Sequence, residues 1–317
     1  MKSSSDLFPV ALMRADVVAQ KFIEDTYLLK PNNSEDPSVQ IALTRLGKYE
    51  GKNENRGRPV ILVHGSFSNR GVWLSVTGKG FASALLEAGF DPWMLELRGH
   101  GDSPFNEQYE NNNLESYANF DLPAVNAFVQ EQTNQAPFWC GHSSGGVCIA
   151  TSIASEKLKI SDISGLILFG SQVSRFPLAL RVPFFRLLSR IILIPKKRIH
   201  SKKLGVELEP VGIAKEFLRW AGIFTGWKSK SGQSYWKKLK EISPLPVLAI
   251  GAKNDKGDPS KHCKKLMSAF AGDKTFYLLS KDEGFSQNFN HSNMVASDAA
   301  QQEVWPKVIE WINSSKQ

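Results

Sequence analysis

The stretch that decides the fold runs Phe138-Trp139-Cys140-Gly141-His142-Ser143-Ser144-Gly145-Gly146-Val147. Its first three residues are typical of a short buried strand, and the residues from Gly146 onward have the spacing of a helix. Gly141 and Gly145 leave room for a sharp turn that a side chain would obstruct. Such a turn lifts the serine above the sheet and directs backbone N–H groups at developing negative charge. Ser143 is therefore the candidate nucleophile, and the flanking strand and helix disfavour the alternative of a Gly-Ser surface turn.

Outward from this turn, short apolar runs alternate with helical patterns, which indicates βαβ units and a mostly parallel sheet. Strands are predicted at 39–46 (an edge strand), 59–63, 91–97, 137–140, 163–169, 245–250 and 275–279, and helices at 72–88, 114–132, 146–156 and 299–312. The alternation breaks between residues 172 and 243. We therefore expect an α/β core formed by residues 1–171 and 244–317, covered by an inserted helical lid at 172–243. The first 35 residues favour one helix, from Leu7 to Tyr27.

Two further motifs accompany the turn. His64-Gly65 follows the predicted strand at 59–63, and Arg98-Gly99-His100-Gly101-Asp102-Ser103 follows the next strand. With the serine turn, they resemble the α/β-hydrolase family, in particular its lid-bearing serine esterases, lipases and peptidase-like members. The resemblance extends from about Pro59 to Trp311, apart from the insertion. It implies the α/β-hydrolase fold and an oxyanion hole formed by the backbone N–H groups of Ser66 and Ser144.

The family's chain order places an acid and then a histidine base after the serine. Only His291 follows the last predicted strand and precedes the last helix, so the resemblance implies His291 as the base. Asp255 follows the strand at 245–250, where the family carries its acid, and Asp258 is the alternative acid. The turn before Asp255 has an extra residue, and the segment before His291 is long. Of the other histidines, His64 and His100 are expected to brace their loops and His142 to occupy the variable position of the turn. His200 and His262 are expected to face solvent.

The charge of the chain is concentrated in the insertion. The net charge is +8, and residues 172–243 contain 16 Lys or Arg against 4 Asp or Glu, so the remainder is acidic. Because no nucleic-acid motif accompanies the charge, we expect no nucleic-acid partner. The insertion also contains aromatic residues that could cover an apolar pocket: Phe184, Phe185, Phe217, Trp220, Phe224, Trp227 and Trp236.

Two interpretations of the insertion remain open. In the first, it is an ordinary lid whose charged outer face is solvated. In the second, the arginine-spaced apolar stretch from Phe176 to Arg198 makes weak contact with an anionic membrane. The rest of the chain has ordinary globular composition and no complete signal-peptide pattern, so a cytoplasmic protein with reduced cysteines is expected.

These patterns predict a serine hydrolase that cleaves a carboxylic ester through a covalent acyl-enzyme. The aromatic insertion favours a small-molecule ester with an apolar acyl or alcohol part. The same residues would serve a thioesterase, an amidase or peptidase, or an acyltransferase, and a non-catalytic ligand receptor of this fold is the alternative from another class. Without a HExxH sequence, paired CxxC motifs or a P-loop, neither metal nor cofactor is expected.

Overall fold

The computed structural model describes residues 5–50, 56–222 and 225–315. Eleven strands lie in these ranges: β1 (Val10–Val18), β2 (Phe22–Leu29), β3 (Ile41–Lys48), β4 (Pro59–Val63), β5 (Asp91–Glu96), β6 (Phe138–His142), β7 (Gly165–Phe169), β8 (Arg198–Ile199), β9 (Glu209–Pro210), β10 (Val247–Ala252) and β11 (Lys274–Leu279). Nine of them form one sheet in the order β1-β2-β3-β5-β4-β6-β7-β10-β11, whereas β8 and β9 pair with each other.

The sheet is antiparallel from β1 to β5 along this order and parallel from there to β11. Val63 at the end of β4 pairs with Gly141 near the end of β6, and His142 pairs with Phe169 at the end of β7. Parallel strands in this register end at the same edge. The loops after β4, β6, β7 and β10 therefore emerge side by side.

Ten α-helices accompany the strands in the described ranges: α1 (Phe81–Glu87), α2 (Leu114–Ser116), α3 (Leu122–Thr133), α4 (Ser144–Ala154), α5 (Leu178–Arg181), α6 (Pro183–Leu193), α7 (Val211–Trp220), α8 (Tyr235–Glu241), α9 (Ser260–Met267) and α10 (Trp305–Ser314). Among them, none has both the length and the apolar composition needed to cross a membrane.

Helices cover both faces of the sheet. Alternate residues of β4 enter two different apolar clusters: Ile61 and Val63 pack with α3, α4 and α9, whereas Val60 and Leu62 pack with α1 and α10. Because successive strand residues point to opposite faces, the two clusters lie on opposite sides of the sheet. This arrangement confirms the predicted α/β-hydrolase fold, a mostly parallel sheet between helices.

The prediction of a helix from Leu7 to Tyr27 is wrong. This segment forms the antiparallel hairpin β1–β2 at the edge of the sheet. Its turn places Ala19 and Gln20 at φ values of 51° and 55°, a conformation that usually requires Asn or Gly. Because neither residue marks a turn, the sequence pattern did not reveal the hairpin. The hairpin also makes β3, predicted as an edge strand, an interior one.

The helix predicted at residues 72–88 is shorter in the structure. A single 3₁₀ turn, Arg70–Val72, precedes an irregular loop, and α1 begins only at Phe81. Gly78 in this loop has a φ of 74°, and a Cβ on Gly80 would lie 2.0 Å from the carbonyl oxygen of Trp73. The two glycines therefore let the chain fold back on itself before the helix starts.

Residues 172–243, hereafter the inserted segment, connect the adjacent strands β7 and β10. Its described residues, 172–222 and 225–243, contribute α5 to α8 and the β8–β9 pair but no strand to the main sheet. On the core, Glu115 accepts hydrogen bonds from Tyr235 Oη at 2.6 Å and from Arg219 Nη2 at 3.1 Å, and Trp227 Nε1 donates to Thr151 Oγ1 at 3.2 Å. These bonds attach the segment to α2 and α4.

The aromatic residues of the inserted segment divide into two sets. Trp220 and Trp227 are fully buried in the core and Phe217 and Trp236 pack against it, whereas Phe184 and Phe185 are exposed on α6. Phe224 lies outside the described residues. The sequence predicts that these aromatic residues cover one apolar pocket. In the structure, some of them pack in the core and others face outward.

Asp91 at the start of β5 forms a buried ion pair with the neighbouring strand β3. Arg45 of β3 donates to it from Nε at 2.9 Å and from Nη2 at 2.7 Å, Arg56 donates at 3.3 Å, and Trp93 Nε1 donates at 3.0 Å. The carboxylate is fully buried. Removing it would leave the buried guanidinium of Arg45 without the carboxylate to which it is hydrogen-bonded.

We expect Asp91→Ala to lower the free energy of unfolding by about 3–5 kcal/mol, the usual cost of breaking a buried ion pair. Urea denaturation of wild type and variant measures the change. Asp282→Ala is the matched control, because its pair with Lys253 is exposed and should contribute at most about 1 kcal/mol. Equal effects of the two substitutions would contradict this prediction.

Candidate active site

Ser143 lies at the turn between β6 and α4, as the sequence predicts. Its φ of 54° and ψ of −124° are left-handed values that a residue with a side chain rarely adopts. A Cβ on Gly145 would lie 2.4 Å from the carbonyl oxygen of His64, and one on Gly141 would lie 2.4 Å from the backbone nitrogen of Gly146. Both positions therefore require glycine, and the strained turn persists because its surroundings are closely packed.

The loop after β4 lies directly against this turn. A Cβ on Gly65 would lie 3.0 Å from the Cβ of Ser143, and the hydroxyl groups of Ser66 and Ser144 are 2.9 Å apart. Within residues 5–50, 56–222 and 225–315, no acceptor is found for the backbone N–H of either serine. Two unpaired donors thus lie next to Ser143, one of them in the first turn of a helix.

His64 braces this loop, as expected. Its Nδ1–H donates to the carbonyl oxygen of Gly65 at 2.8 Å, and its Nε2 accepts from the N–H of Leu97 at 3.2 Å. Burial, helped by the nearby His100, lowers the pKa of His64 to about 3. The ring is therefore neutral near pH 7, and its two hydrogen bonds define one tautomer.

The loop after β10 brings Asp255 to His291. Oδ2 of Asp255 lies 2.6 Å from Nδ1 of His291, and Oδ1 accepts the N–H groups of Gly257 at 3.0 Å and Asp258 at 2.8 Å. Burial would raise the pKa of Asp255, but the hydrogen bond and charge of His291 and the two N–H donors hold it below its ordinary value of 3.8. Asp255 is thus an ionised carboxylate with both oxygens engaged.

The pKa of His291 is shifted in the opposite direction. Burial lowers it, but the hydrogen bond with Asp255 and the charges of Asp255 and Asp258 outweigh burial, so that the pKa lies above 6.5. Because Nδ1 is bonded to Asp255, Nε2 is the ring atom left for proton exchange.

Asp258 lies on the same loop but has different partners. Its Oδ2 is 3.6 Å from Nδ1 of His291 and accepts the hydroxyl of Ser143 at 3.4 Å, whereas its Oδ1 accepts Nε2 of Gln172 at 2.8 Å. Burial raises its pKa, as does the charge of Asp255. Asp255 is therefore the carboxylate closer to His291, and Asp258 the one closer to Ser143.

In the part of the chain that the structure describes, Ser143 is hydrogen-bonded to Asp258 and not to His291. Hydrogen bonds between catalytic groups are often long or absent in unliganded enzymes and form only with substrate. Proton transfer between the two residues would require the Ser143 hydroxyl to turn from Asp258 toward Nε2 of His291.

His142 has a role that sequence reasoning missed. Its Nε2–H donates to the carbonyl oxygen of His291 at 3.0 Å, and the two rings are 4.6 Å apart. Burial lowers the pKa of His142 to about 3, and the proximity of His291 contributes. The ring is a neutral donor that holds the backbone of His291. No local pattern could reveal this contact, because the two residues are 149 positions apart.

The inserted segment reaches the site at two points. At its start, Gln172 donates to Asp258. Further along, Glu209 accepts the N–H of Phe67 at 2.5 Å and lies 3.2 Å from Nε2 of the buried His100. Phe67, next to Ser66, has a φ of 58°, so Glu209 supports a strained position beside the two free N–H groups. Neither Gln172 nor Glu209 belongs to a motif that sequence analysis could have used.

Asp255, Asp258 and His291 also form the kind of cluster that can bind a cation, since one ligand atom from each lies within 4.8 Å of the others. The Nδ1 of His291 is already engaged with Asp255, however, and a metal ion at this atom would have to replace that hydrogen bond. The arrangement therefore suits proton transfer through His291 better than metal ligation.

Comparison with known proteins agrees with this fold. Residues 60–282 match the Alpha/beta hydrolase family. Tear acid lipase-like protein from Mesocricetus auratus is 33% identical over 112 residues, which cover 32% of this chain and 28% of that protein. Gastric triacylglycerol lipase from Rattus norvegicus is 34% identical over 116 residues, which cover 32% of this chain and 29% of that protein. The chain thus spans less than a third of the length of these relatives.

Among solved structures, monoacylglycerol lipase from Paleococcus ferrophilus has a TM-score of 0.59 at 17% identity, covering 87% of this chain and 99% of that chain. At this identity the likeness shows a shared fold. The family match contains Ser143, Asp255 and Asp258 and ends before His291. Because the match covers most of the sequence and the fold agrees, the chain belongs to the alpha/beta hydrolase family.

Proposed function

We propose that this esterase- or lipase-like hydrolase cleaves a carboxylic ester through a covalent acyl-enzyme formed on Ser143. The observation that carries the proposal is the 2.6 Å contact between Asp255 and His291 next to a serine on a strained turn. Relatives named as lipases support an ester substrate. The inserted segment, in this proposal, is a lid that covers the apolar part of the substrate.

The chemistry follows from the placement of the groups. Ser143 Oγ attacks the carbonyl carbon as its proton passes to Nε2 of His291, and Asp255 stabilises the resulting imidazolium. The N–H groups of Ser66 and Ser144 donate to the carbonyl oxygen as it becomes negative. His291 then gives the proton to the departing alkoxide, which leaves as an alcohol. Water repeats these steps on the acyl-enzyme and releases the carboxylic acid.

Fluorophosphonate labelling tests the nucleophile. We expect the wild type to react covalently and Ser143→Ala to lose both labelling and ester hydrolysis by about 10⁴-fold or more, because no other group supplies the attacking oxygen. Ser161→Ala is the control, since Ser161 is exposed. A wild type that binds esters but is not labelled would instead indicate a non-catalytic receptor.

Paired asparagine variants distinguish the two carboxylates. Asp255→Asn should lower kcat by about 10⁴-fold, because an amide at this position favours the wrong tautomer of His291. Asp258→Asn should lower kcat by about tenfold or less, because Oδ2 of Asp258 lies 3.6 Å from Nδ1 and makes no hydrogen bond with it. Steady-state kinetics on a soluble short-chain ester provides the comparison, and the reverse order of effects would assign the acid to Asp258.

The pH dependence should report the raised pKa of His291. The reaction requires neutral imidazole, so kcat/KM should fall as the pH decreases through a midpoint above 6.5. Asp258→Asn removes a negative charge that raises this pKa, and its midpoint should therefore lie at lower pH than that of wild type. Rate profiles between about pH 5 and 9 measure both values, and a midpoint that Asp258→Asn leaves unchanged or raises would contradict this prediction.

The substrate class is tested separately from the nucleophile. Matched esters, thioesters and amides with the same series of acyl lengths should show the highest kcat/KM for esters, and among the esters for those with an apolar acyl or alcohol part. A preference for thioesters or amides, or transfer of the acyl group to an added alcohol in place of water, would retain the acyl-enzyme and replace the proposed reaction.

A further inference from the structure

Helix α6 exposes its apolar side to solvent. Six large hydrophobic residues in and around the helix are each more than half exposed. They form what we call the apolar patch: Leu178, Phe184, Leu187, Ile191, Ile192 and Ile194. A single exposed leucine is ordinary, but a contiguous patch of this kind marks a surface that binds another molecule.

The orientation of α6 is the reverse of that of a usual surface helix. Its half-buried residues are Arg186, Ser189 and Leu193, which lie on one side at helical spacing, and the others are exposed. Arg186 points inward, because a Cβ on Gly222 would meet its guanidinium. A helix that packs on a protein normally buries its apolar side. Among the described residues, the packing of α6 uses a partly polar side, and the apolar side remains exposed.

The charge around the patch restricts what can cover it. From Gln172 to Val206 the chain has nine Lys or Arg and no Asp or Glu. The triplet Lys196, Lys197 and Arg198 immediately follows the patch and is exposed. Two copies of this surface would repel each other, so a second copy of the chain is disfavoured. A partner with negative charge is favoured.

The shape of the helix favours a lipid surface. Because eight of the eleven residues of α6 are exposed, the helix stands out from the protein and does not line a groove. At about 1.5 Å per residue it is roughly 16 Å long, which suits a helix that lies in the plane of a membrane interface. Apolar side chains would enter the acyl region while cations meet anionic headgroups.

The patch is also linked to the candidate active site. The chain that carries it is held near Asp258 by Gln172 on one side and near Phe67 by Glu209 on the other. The segment that carries the patch is therefore connected on both sides to residues of the candidate site.

We propose that the apolar patch and the adjacent basic triplet bind the protein to an anionic lipid surface. The inference that this binding delivers an apolar ester to Ser143 rests on the proposed function, whereas the binding itself does not.

Vesicle co-sedimentation of Ser143→Ala tests the binding without hydrolysis. The probes are vesicles of phosphatidylcholine alone and of an equimolar mixture with phosphatidylserine. We expect binding to the mixed vesicles, weaker binding to phosphatidylcholine, and release at high salt because counterions screen the attraction. Absence of binding to the mixed vesicles, or binding that is equal for the two compositions and insensitive to salt, would overturn the proposal.

Two groups of substitutions locate the binding surface. Changing the basic triplet to glutamine should weaken binding on the order of a hundredfold, since each charge near the membrane contributes about 1 kcal/mol. Phe184→Ser with Ile191→Ser should weaken it at least about tenfold. The controls are Val76→Ser, at an exposed apolar position elsewhere, and glutamine at the exposed Lys48, Lys281 and Lys307. Equal losses in test and control variants would contradict the assignment to α6.

A fluorescent label provides a second measurement that leaves the charge and most of the patch intact. Cys140, Cys148 and Cys263 are buried, so an environment-sensitive thiol dye should react selectively with Ile191→Cys. Its emission should shift to shorter wavelength with the mixed vesicles, whereas the same dye on Val76→Cys should not respond. Binding of α6 to lipid would be refuted if the emission of the dye at position 191 did not shift. It would also be refuted if the emission shifted without vesicles, through contact with a second copy of the protein alone.

Hydrolysis of a soluble short-chain ester separates this proposal from the proposed function. The patch variants should retain that activity, because the substituted residues face outward. Loss of vesicle binding with intact hydrolysis supports the lipid surface, and vesicle binding without hydrolysis would overturn the proposed function alone.

Discussion

The close approach of two loops at Ser143 is the constraint on which the candidate site depends. Gly145 lies against the carbonyl oxygen of His64, where a Cβ would clash, and Gly65 lies against the Cβ of Ser143, where a Cβ would be crowded. This packing maintains the left-handed backbone of Ser143 and places Ser66 beside Ser144. The Ser143 hydroxyl and the N–H groups of Ser66 and Ser144 therefore lie close together, because the backbones of the two loops pack directly against each other without intervening side chains.

The parallel register of the sheet supplies the remaining groups. The loops after β4, β6 and β10 emerge from adjacent or nearby strands at one edge, so residues far apart in the chain come within hydrogen-bonding distance. Asp255 meets His291 across 36 positions, and His142 meets it across 149. The inserted segment leaves from the end of β7 at this same edge. Its contacts through Gln172 and Glu209 are therefore a consequence of topology as much as of local sequence.

Four buried or half-buried histidines near the site show how partners determine charge. Within the described ranges, neither His64 nor His142 is hydrogen-bonded to a carboxylate, and burial lowers the pKa of each to about 3. His100 lies beside Glu209 and His291 beside Asp255, and these carboxylates reverse the effect of burial, so both pKa values are raised. The neutral rings act as hydrogen-bond donors that hold backbone. The imidazolium form is favoured only where a carboxylate can stabilise it.

By itself, the sequence determined the features that neighbouring residues encode: the strand, turn and helix around Ser143, the alternation typical of an α/β fold, and the basic character of the inserted segment. Tertiary structure decided the rest. Asp255 and Asp258 are three residues apart and were separable only by their distances to His291. The β1–β2 hairpin lacks turn residues, and its pairing stabilises left-handed values at Ala19 and Gln20. The outward direction of α6 depends on which side of the helix packs, a choice that apolar spacing alone does not make.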